Sequence, residues 1–473
     1  MINPKIFKAY DIRGVYNKDF NAEDSVKIAK GIYKFFVDYY KGRKDLAICL
    51  GRDMRIGSNE IYEKVRQTLM EYPVQLIELG LVSTPSMYYS VLKYQADAGL
   101  HITASHNPKE YCGMKFVLRE GDRIVKVSGA FGMEEVKENT LQEKFIQPDE
   151  NKGSSREVDD FDRTAVEDNI KYFEEKFGEF RKRRLKVVVD SANGMGVLYL
   201  KHFFDKYKDY FEVVYINEEL DGTFPAHEAD PLKPENLKQL QEEIERQGAD
   251  FGIGPDGDGD RIFFVDEKAQ IVQPARVSSL IVEKVLSEGK GSSFVVDVRY
   301  VLNLRKICEK YGARLYEVRV GHSFITKKVN EVKAYFAGES SGHYFFYDFG
   351  GAENSLLIIM FILDRLGQDK EKTLSQIIDE VSLVHESGEY NFHLPEAVSA
   401  QALFEKLEER YKGGRVVRID GFTVEFEGWR FNFRASNTEP LVRLNLEAEE
   451  ADKMRAKLKE IMDYLESLGA QRA

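Results

Sequence analysis

The sequence predicts three successive α/β units with mixed sheets, followed by a C-terminal α+β domain around a central cleft. Three short apolar runs rich in β-branched residues each end in or beside an aspartate, as buried parallel strands do where they leave a sheet. These runs are LAICLGRD, LKVVVD and SFVVDV, at 46–53, 185–190 and 293–298. A helix-like stretch follows each run, and then a second strand that opens into an unusual loop, at 96–108, 248–261 and 333–343.

The repeat of this pattern predicts how the units share a site. Loops at the carboxyl ends of strands bind ligands in open α/β sheets, so three equivalent loops predict one common cleft. A hydrophilic linker at 147–160 and a polar stretch at 366–372 indicate boundaries. After 380 the strands alternate more and a closing amphipathic helix follows, which is typical of a small α+β domain. The expected domains are 1–152, 153–260, 261–380 and 381–473.

Composition limits the class of protein. The chain has 473 residues and a formal net charge of -12, which disfavours nucleic acid as the main partner. The longest apolar run, Leu356–Leu363, is too short to cross a bilayer, and the first residues lack the apolar core of a signal peptide. The three cysteines are far apart, as suits a reducing compartment. We therefore expect a cytoplasmic protein, a monomer or homodimer, whose partners are small molecules rather than nucleic acid or membrane.

The stretch GPDGDGDR carries the strongest local signal. Asp256, Asp258 and Asp260 are separated by single glycines, and three carboxylates this close repel one another unless a cation holds them. Glycines permit a tight turn in which alternate side chains converge on one ion. Because all the ligands are oxygen atoms, the stretch predicts a hard cation, Mg²⁺ before Ca²⁺, with Zn²⁺ disfavoured.

Three other interpretations of this stretch are disfavoured by its residues. An EF-hand is disfavoured because Arg261 stands where the loop needs glycine and RIFFVD is typical of a strand. A dinucleotide-binding fingerprint, formally present from Gly252 to Gly257, would place carboxylates where pyrophosphate binds. An acidic surface turn leaves the regular glycine spacing between two hydrophobic strands unexplained.

Two further loops offer groups that can bind phosphate and sugar. RASNTEP, at 434–440, combines a guanidinium, two hydroxyls and an amide, which can surround a phosphate monoester; a plain polar turn is an equal alternative. GESSGH, at 338–343, places Glu339, Ser341 and His343 among glycines. A carboxylate and a hydroxyl two residues apart can hold neighbouring sugar hydroxyls.

Isolated charged residues add candidates. Arg13 in YDIRG can bind an anion. The stretch GRDMR, at 51–55, either orients Arg13 or forms a structural salt bridge. His322 in VRVGHSF follows a predicted strand and is a candidate acid or base, although a lone histidine is more often structural.

Ser105 in TASHNP has three possible roles: a hydrolase nucleophile, a phosphate carrier or a loop residue without chemistry. Neighbouring residues in an extended loop tend to point apart, so we expect no Ser105–His106 pair. The metal and phosphate loops elsewhere favour the phosphate carrier.

The five loops together resemble the signatures of a known family. In order, YDIRG, TASHNP, GPDGDGDR, GESSGH and RASNTEP are similar to those of the α-D-phosphohexomutases, and most similar to the bifunctional phosphomannomutase/phosphoglucomutase subgroup. The resemblance extends from Tyr10 to Pro440. It implies four domains around a deep cleft, the same division that the repeat predicts.

The resemblance also implies roles for individual residues. Ser105 would carry the phosphoryl group and contact the metal, while Asp256, Asp258 and Asp260 hold Mg²⁺. Lys115 and His322 would transfer protons. The remaining expected residues are Arg13 and Arg261 in the catalytic cleft, Tyr10, Glu339, Ser341 and His343 at the sugar, and Arg434, Ser436, Asn437 and Thr438 at the phosphate that is not transferred.

The reaction implied by the resemblance is the interconversion of a hexose 1-phosphate and its 6-phosphate, with mannose, glucose or both as the sugar. A hexose 1,6-bisphosphate is the intermediate and activator. A metal-dependent sugar phosphatase and a phosphoglucosamine mutase are the alternatives, although phosphoglucosamine mutases tend to have Arg-Pro-Ser-Gly-Thr where this chain has RASNT. A sugar-phosphate or Ca²⁺ sensor would bind without turnover.

Overall fold

The computed structural model describes residues 2–148, 150–395, 398–435 and 441–473. The first unit contains a seven-stranded mixed sheet, in which β5 lies between β1 and β4 and also pairs with β6. Its elements are β1 (Ile12–Val15), α1 (Ala22–Tyr39), β2 (Ala47–Arg52), α2 (Ser58–Leu69), β3 (Gln75–Leu81), α3 (Thr84–Lys93), β4 (Ala98–Ile102), β5 (Tyr111–Glu120), β6 (Arg123–Lys126), α4 (Met133–Leu141) and β7 (Ser154–Glu157).

The second unit is built on a five-stranded sheet, in the order β12-β11-β10-β8-β9. Its elements are α5 (Phe161–Phe177), β8 (Leu185–Asp190), α6 (Gly196–Lys206), β9 (Phe211–Ile216), α7 (Lys238–Gln247), β10 (Phe251–Pro255), β11 (Ile262–Asp266) and β12 (Ile271–Val272).

The third unit has a second five-stranded sheet, in the order β14-β13-β15-β16-β17. Its elements are α8 (Pro274–Ser287), β13 (Ser293–Asp297), α9 (Leu302–Tyr311), β14 (Arg314–Val318), α10 (His322–Val332), β15 (Phe336–Gly338), β16 (Tyr344–Phe346), β17 (Ala352–Glu353), α11 (Ser355–Gln368) and α12 (Leu374–Val381).

The three units repeat one arrangement. In each, a central strand (β2, β8 or β13) has a parallel partner on both sides, and one of those partners (β4, β10 or β15) turns back into an antiparallel strand. The turn at that hairpin holds TASHNP in the first unit, DGDGD in the second and ESSGH in the third. The internal repeat predicted from the sequence is therefore confirmed, and it carries all three loops to equivalent positions.

The fourth unit is an α+β domain with an antiparallel sheet of six strands, in the order β19-β20-β21-β22-β18-β23. Its elements are β18 (His385–His393), α13 (Ala400–Arg410), β19 (Arg415–Val417), β20 (Phe422–Phe426), β21 (Trp429–Ala435), β22 (Leu441–Ala448), α14 (Ala451–Ser467) and β23 (Gln471–Arg472). The predicted fold class is confirmed in all four units.

The sheets extend past two of the expected domain limits. The first sheet includes β7, which lies beyond residue 152, because that strand adds in parallel to β3. The second sheet continues through β11 and β12, beyond residue 260, because the aspartate loop is the turn of the β10–β11 hairpin rather than the end of a unit.

The second and third units share one hydrophobic core, while the fourth has a core of its own. Helix α11 is apolar on nearly every face because it lies inside the shared core. The first turn of α1 is fixed by a capping box between Asn21 and Asp24. No helix within the described ranges has the length and apolarity needed to span a bilayer.

Candidate active site

Ser105 lies in the turn between β4 and β5, in the left-handed region of backbone conformation with φ of 52°. This conformation is unfavourable for a residue with a side chain, so the surroundings must stabilise it. The Ser105 N–H donates to Thr103 Oγ1 at 2.9 Å, and the Ser105 carbonyl accepts from Arg55 at 2.7 Å. Both ends of the residue are therefore held in place.

Arg55 organises the loop around Ser105. Its buried guanidinium donates to the carbonyls of Ser105 at 2.7 Å and Asn107 at 2.5 Å, and also to those of Pro108 and Tyr111 at 2.9 and 3.0 Å. A planar guanidinium can satisfy several carbonyls at once, whereas lysine has a single point charge. Arg55 thus closes the loop into one conformation.

The sequence left open whether GRDMR, at 51–55, orients Arg13. The side chains that hold Arg13 in the structure lie outside that stretch. Arg13 is oriented by Asp11, with Nε to Oδ2 at 2.7 Å, and by Asn107 at 2.5 Å. Arg55 Nε lies 3.3 Å from the buried carboxylate of Asp53. The salt-bridge alternative for GRDMR is the one that the structure contains.

Ser105 and His106 do not point apart, and the expectation that they would is wrong. Ser105 Oγ lies 3.2 Å from His106 Nδ1, because the left-handed backbone at Ser105 replaces the extended one that the expectation assumed. Burial, together with the charges of Arg261 and Arg13, lowers the pKa of His106 well below its ordinary value. Ser105 Oγ also lies 3.2 Å from Asp256 Oδ2.

The aspartate loop forms a compact carboxylate cluster. Asp256, Asp258 and Asp260 are all buried, and each offers an oxygen within 4.8 Å of the others. Burial and the charges of its two neighbours raise the pKa of Asp256 to about 8. Three carboxylates in this volume repel one another, and a bound cation would relieve that repulsion.

Asp258 shows that the cluster fits a divalent ion. Its Oδ2 accepts from Lys115 Nζ at 2.7 Å, Thr84 Oγ1 at 2.7 Å and Thr103 Oγ1 at 3.3 Å. Its Oδ1 is buried and has no hydrogen-bond partner among the described residues. Lys115 also contacts Asp260 at 2.6 Å. An orphaned carboxylate oxygen beside two other acids is the donor set that Mg²⁺ prefers.

Glycine is needed at position 257, where the metal loop approaches the serine loop. A Cβ atom at Gly257 would lie 2.5 Å from the carbonyl oxygen of Ser105. Contact this close is possible only without a side chain. The glycine therefore permits the carboxylate cluster and Ser105 to meet.

The sugar loop joins the metal loop directly. Ser341 Oγ donates to Glu339 Oε2 at 2.6 Å, and His343 bridges Glu339 at 2.8 Å and Asp260 at 3.2 Å. Although burial lowers the pKa of His343, the carboxylates of Asp260 and Glu339 raise it to about 9. Ile262 N–H also donates to the Gly342 carbonyl at 3.0 Å.

Tyr10 and His322 lie together on another side of the cleft. Their ring centroids are 5.2 Å apart, and Tyr10 Oη donates to the Val320 carbonyl at 3.2 Å. The rings of His322 and His343 are 6.2 Å apart. Arg261 Nε lies 3.4 Å from His343 Nε2 and 3.8 Å from Asp256. The structure thus brings loops from three units together.

Comparison with known proteins agrees with this geometry. Four consecutive models described as phosphoglucomutase/phosphomannomutase domains match the chain: alpha/beta/alpha domains I, II and III at residues 4–143, 167–269 and 274–383, and the C-terminal domain at 390–463. The chain is 34% identical to a phosphomannomutase of Methanocaldococcus jannaschii over 98% of both chains. It belongs to the phosphoglucomutase/phosphomannomutase family.

Other relatives support the same assignment. A phosphomannomutase/phosphoglucomutase of Pseudomonas aeruginosa is 31% identical and is matched over 95% of this chain and 93% of its own. A crystal structure of a phosphoglucomutase/phosphomannomutase family protein from Burkholderia thailandensis superposes with a TM-score of 0.84 at 29% identity, over the full length of both chains. The chain is therefore a phosphohexomutase, an isomerase, and the predicted family is confirmed.

The fourth domain of the mutase supplies Arg434 at the end of β21. Its guanidinium donates to Glu389 at 2.8 Å, and burial together with nearby Arg299 lowers its pKa. Arg299 also pairs with Asp297 at 2.8 Å and lies 3.8 Å from Glu339. The expected phosphate-binding residues Ser436, Asn437 and Thr438 lie outside the described residues.

Sequence reasoning missed two charged residues at the cleft of the mutase. Lys126, at the end of β6, and Glu353, in β17, form a buried ion pair beside His322. Neither residue lies in one of the five motifs. The one sequence signal for Lys126 was its place at the end of a strand in the unit that contains Ser105. Lysines at strand ends are too common for this place to identify a site residue.

Proposed function

We propose that this phosphohexomutase interconverts the 1-phosphates and 6-phosphates of mannose and glucose through phospho-Ser105. The observation that carries the proposal is the meeting of three groups at one point. Ser105 Oγ is 3.2 Å from Asp256, and Lys115 Nζ is 2.7 and 2.6 Å from Asp258 and Asp260. A hydroxyl, a metal-binding set of carboxylates and a proton donor are the components that phosphoryl transfer requires.

Ser105 is proposed as the phosphoryl carrier. In the first half-reaction the bond from phosphorus to Ser105 Oγ breaks and a bond forms from phosphorus to the free hydroxyl oxygen of the sugar; this hydroxyl loses a proton and Ser105 Oγ gains one. In the second, the bond from the other phosphoryl group of the hexose 1,6-bisphosphate to its sugar oxygen breaks, that oxygen gains a proton, and the group bonds to Ser105 Oγ, which loses one. The side chain is only 1% exposed, which supports protection of the phosphoserine from water.

Asp256, Asp258 and Asp260 are proposed to hold Mg²⁺, with Ser105 or its phosphate as a further ligand. When bound, the ion would neutralise charge on the phosphoryl oxygens. Burial would itself disfavour three ionised carboxylates at this point, and the raised pKa of Asp256 is consistent with a cluster that binds a cation in order to ionise.

Lys115 and His322 are proposed to transfer the protons. Although burial favours the neutral amine, the carboxylates of Asp258 and Asp260 raise the pKa of Lys115 well above its ordinary value, so the amine carries its proton in this state. Arg13 and Arg261 are proposed to stabilise the anionic substrate, since each already lies at the cleft with part of its guanidinium held by an acid.

The remaining residues are proposed to hold the substrate. Glu339 and Ser341 would bind sugar hydroxyls, with Tyr10 and His343 beside them. The phosphate that is not transferred would bind the loop that begins at Arg434. Because this loop belongs to a separate domain, either phosphate of the bisphosphate can occupy it after reorientation. Ser436, Asn437 and Thr438 are proposed as the other phosphate-binding residues of this loop.

A bisphosphate activator follows from this scheme, since escape of the intermediate leaves Ser105 without phosphate. We further propose that the enzyme works in the cytoplasm as a monomer or homodimer, with sugar phosphates rather than nucleic acid as its partners. Its three cysteines are buried and unpaired, which is consistent with a reducing compartment.

Mass analysis of the purified full-length chain tests the carrier. We expect phosphate on Ser105, and a loss of more than about 10⁴-fold in turnover for Ser105→Ala. Ser154→Ala, at an exposed serine of β7, is the matched control and should keep both phosphate and activity. A Ser105→Ala enzyme with full activity would sink the proposed mechanism.

A coupled assay tests the substrate. Mannose 1-phosphate, glucose 1-phosphate and glucosamine 1-phosphate are compared at equal concentration, with Mg²⁺ and a trace of hexose 1,6-bisphosphate. We expect isomerisation of the first two without release of inorganic phosphate. Release of phosphate without isomerisation would favour a sugar phosphatase, and a preference for the glucosamine ester would favour a phosphoglucosamine mutase.

A further inference from the structure

Lys126, Glu353 and His322 form a buried cluster, here called the Lys126 cluster, at the contact between the first and third units. Lys126 ends β6 of the serine-bearing unit, while Glu353 lies in β17 and His322 begins α10 of the third unit. Lys126 and Glu353 are 5% and 2% exposed. A charged pair this deeply buried is costly unless its hydrogen-bonding capacity is used.

The three protons of the Lys126 ammonium can all be assigned. Both carboxylate oxygens of Glu353 accept from Lys126 Nζ, and His322 Nδ1 lies 3.2 Å from the same nitrogen. The rings of Tyr88 and Phe345 lie 4.8 and 5.3 Å from Nζ, so the ammonium is also enclosed by aromatic faces. Lysine has no acceptor, and Glu353 therefore orients the remaining N–H towards the imidazole.

This contact decides which nitrogen of His322 carries the proton. An ammonium can only donate, so Nδ1 must be the acceptor and the neutral ring must carry its proton on Nε2. Burial, with the positive charges of Lys126 and Lys115, lowers the pKa of His322 well below its ordinary value. The ring is thus neutral and presents one defined donor.

We propose that Lys126, held by Glu353, is a positioning residue that fixes His322 as the Nε2–H tautomer. This inference rests on the proposed role of His322 in the mutase reaction. In this tautomer Nε2 has a proton to give and no lone pair to receive one. His322 is therefore a donor in the transfer, and Nδ1 takes a proton from the Lys126 ammonium as Nε2 gives up its own.

The cluster also fixes where His322 lies relative to Ser105. A second contact ties α10 to the same strand, since Asn330 Nδ2 donates to the Ile124 carbonyl at 3.1 Å. Helix α10 is therefore attached to β6 near both of its ends. Because β6 pairs with β5, which begins after the Ser105 turn and carries Lys115, the two proposed proton-transfer groups belong to one rigid frame.

Nitrogen NMR tests the tautomer without reference to turnover. The full-length Mg²⁺-loaded chain has eight histidines, and with ¹⁵N-labelled histidine the His322 signals are assigned by their loss in His322→Gln. We expect a protonated Nε2 and an unprotonated Nδ1 in the natural chain, and an altered ratio of tautomers in Lys126→Met. An Nδ1–H tautomer in the natural chain would overturn the inference.

Kinetics test whether the position matters. Lys126→Met leaves Glu353 unpaired and is at risk of unfolding, so the decisive variant is the double change Lys126→Met with Glu353→Met. This replaces the buried pair with apolar side chains and is expected to fold. We expect kcat with glucose 1-phosphate to fall about 10- to 100-fold while KM stays near that of the natural chain. A natural kcat in this folded double variant would contradict the proposal.

A control separates positioning from loss of a buried charge. Lys284 is 3% exposed and contacts Asp364 at 2.8 Å, but lies on α8, in no contact with the residues of the cleft described above. Lys284→Met should lower stability and leave kcat unchanged. If His322→Gln keeps natural turnover, the proposed role of His322 fails, whereas the NMR result stands or falls separately.

Discussion

Two buried lysines of the same hairpin differ in the charge around them. Lys115, in β5, contacts two of the three aspartates of the metal loop, whereas Lys126, in β6, contacts one glutamate. The carboxylates raise the pKa of Lys115 well above its ordinary value against the effect of burial. Burial lowers the pKa of Lys126, and Glu353 only partly opposes it.

The hydrogen bonds around the two lysines indicate different roles for the two groups. Around Lys115, the carboxylate oxygen Asp258 Oδ1 is buried without a hydrogen-bond partner among the described residues, which leaves it available to a cation. In the Lys126 cluster, Glu353 and His322 account for all three protons of the ammonium. An unsatisfied buried oxygen indicates a site for a ligand, while a fully hydrogen-bonded ion pair indicates a group that orders neighbouring side chains.

The largest expected effect is at the carboxylate cluster of the metal loop. Asp258→Asn removes a metal-binding carboxylate, and we expect turnover to fall more than about 10³-fold because the phosphoryl charge is no longer neutralised. Circular dichroism should show a folded chain, since the asparagine carbonyl can still accept from Thr84. Full turnover of the natural enzyme in excess chelator would count against a metal at this site.

Replacement of Lys115 should separate turnover from metal binding. In Lys115→Met we expect kcat to fall about 10²- to 10⁴-fold, because a proton-transfer group is lost. Mg²⁺ should bind more tightly, since a competing cation has left Asp258 and Asp260. Calorimetric titration measures this affinity, and Lys284→Met, at a buried lysine that pairs with Asp364, is the control that should leave it unchanged. Weaker Mg²⁺ binding in Lys115→Met would contradict the assignment.

Breaking the ion pair of the Lys126 cluster should lower the free energy of unfolding. Glu353→Gln leaves the Lys126 ammonium buried without a counter-charge, and we expect a loss of about 3–5 kcal/mol. Thermal unfolding followed by circular dichroism should show a lower midpoint, and the double methionine variant should recover it. If the double variant is as unstable as Glu353→Gln, unpaired charge is not the cause.

The smallest expected effect is at the hydroxyl that supports the metal loop. Thr84→Val removes the bond of 2.7 Å to Asp258 Oδ2, while Lys115 and Thr103 still donate to that oxygen. A neutral hydrogen bond contributes about 1 kcal/mol, which corresponds to a change of about fivefold in Mg²⁺ affinity. Calorimetric titration measures the Mg²⁺ affinity of Thr84→Val. If that affinity falls as far as in Asp258→Asn, the metal loop itself has moved.

Much of the site could be predicted from the sequence because the patterns that identify it are local. Glycine-spaced aspartates identify a cation loop over five residues, and the runs that end beside aspartates identify parallel strands over six to eight. Loops that follow such strands must meet at one edge of a sheet. The prediction that Ser105 and His106 point apart was wrong because a distant residue affects the local backbone. The left-handed conformation at Ser105 depends on Arg55, which lies 50 residues away.

The number of domains, the order of the five loops and the kinds of group that each loop offers follow from the amino-acid sequence. The Lys126 cluster exists only in the folded chain, because Glu353 and His322 lie 227 and 196 residues beyond Lys126. With 68 basic and 80 acidic residues in the chain, no local pattern selects this pair. Burial, and not residue type, distinguishes a charge that matters at the cleft from one that faces water.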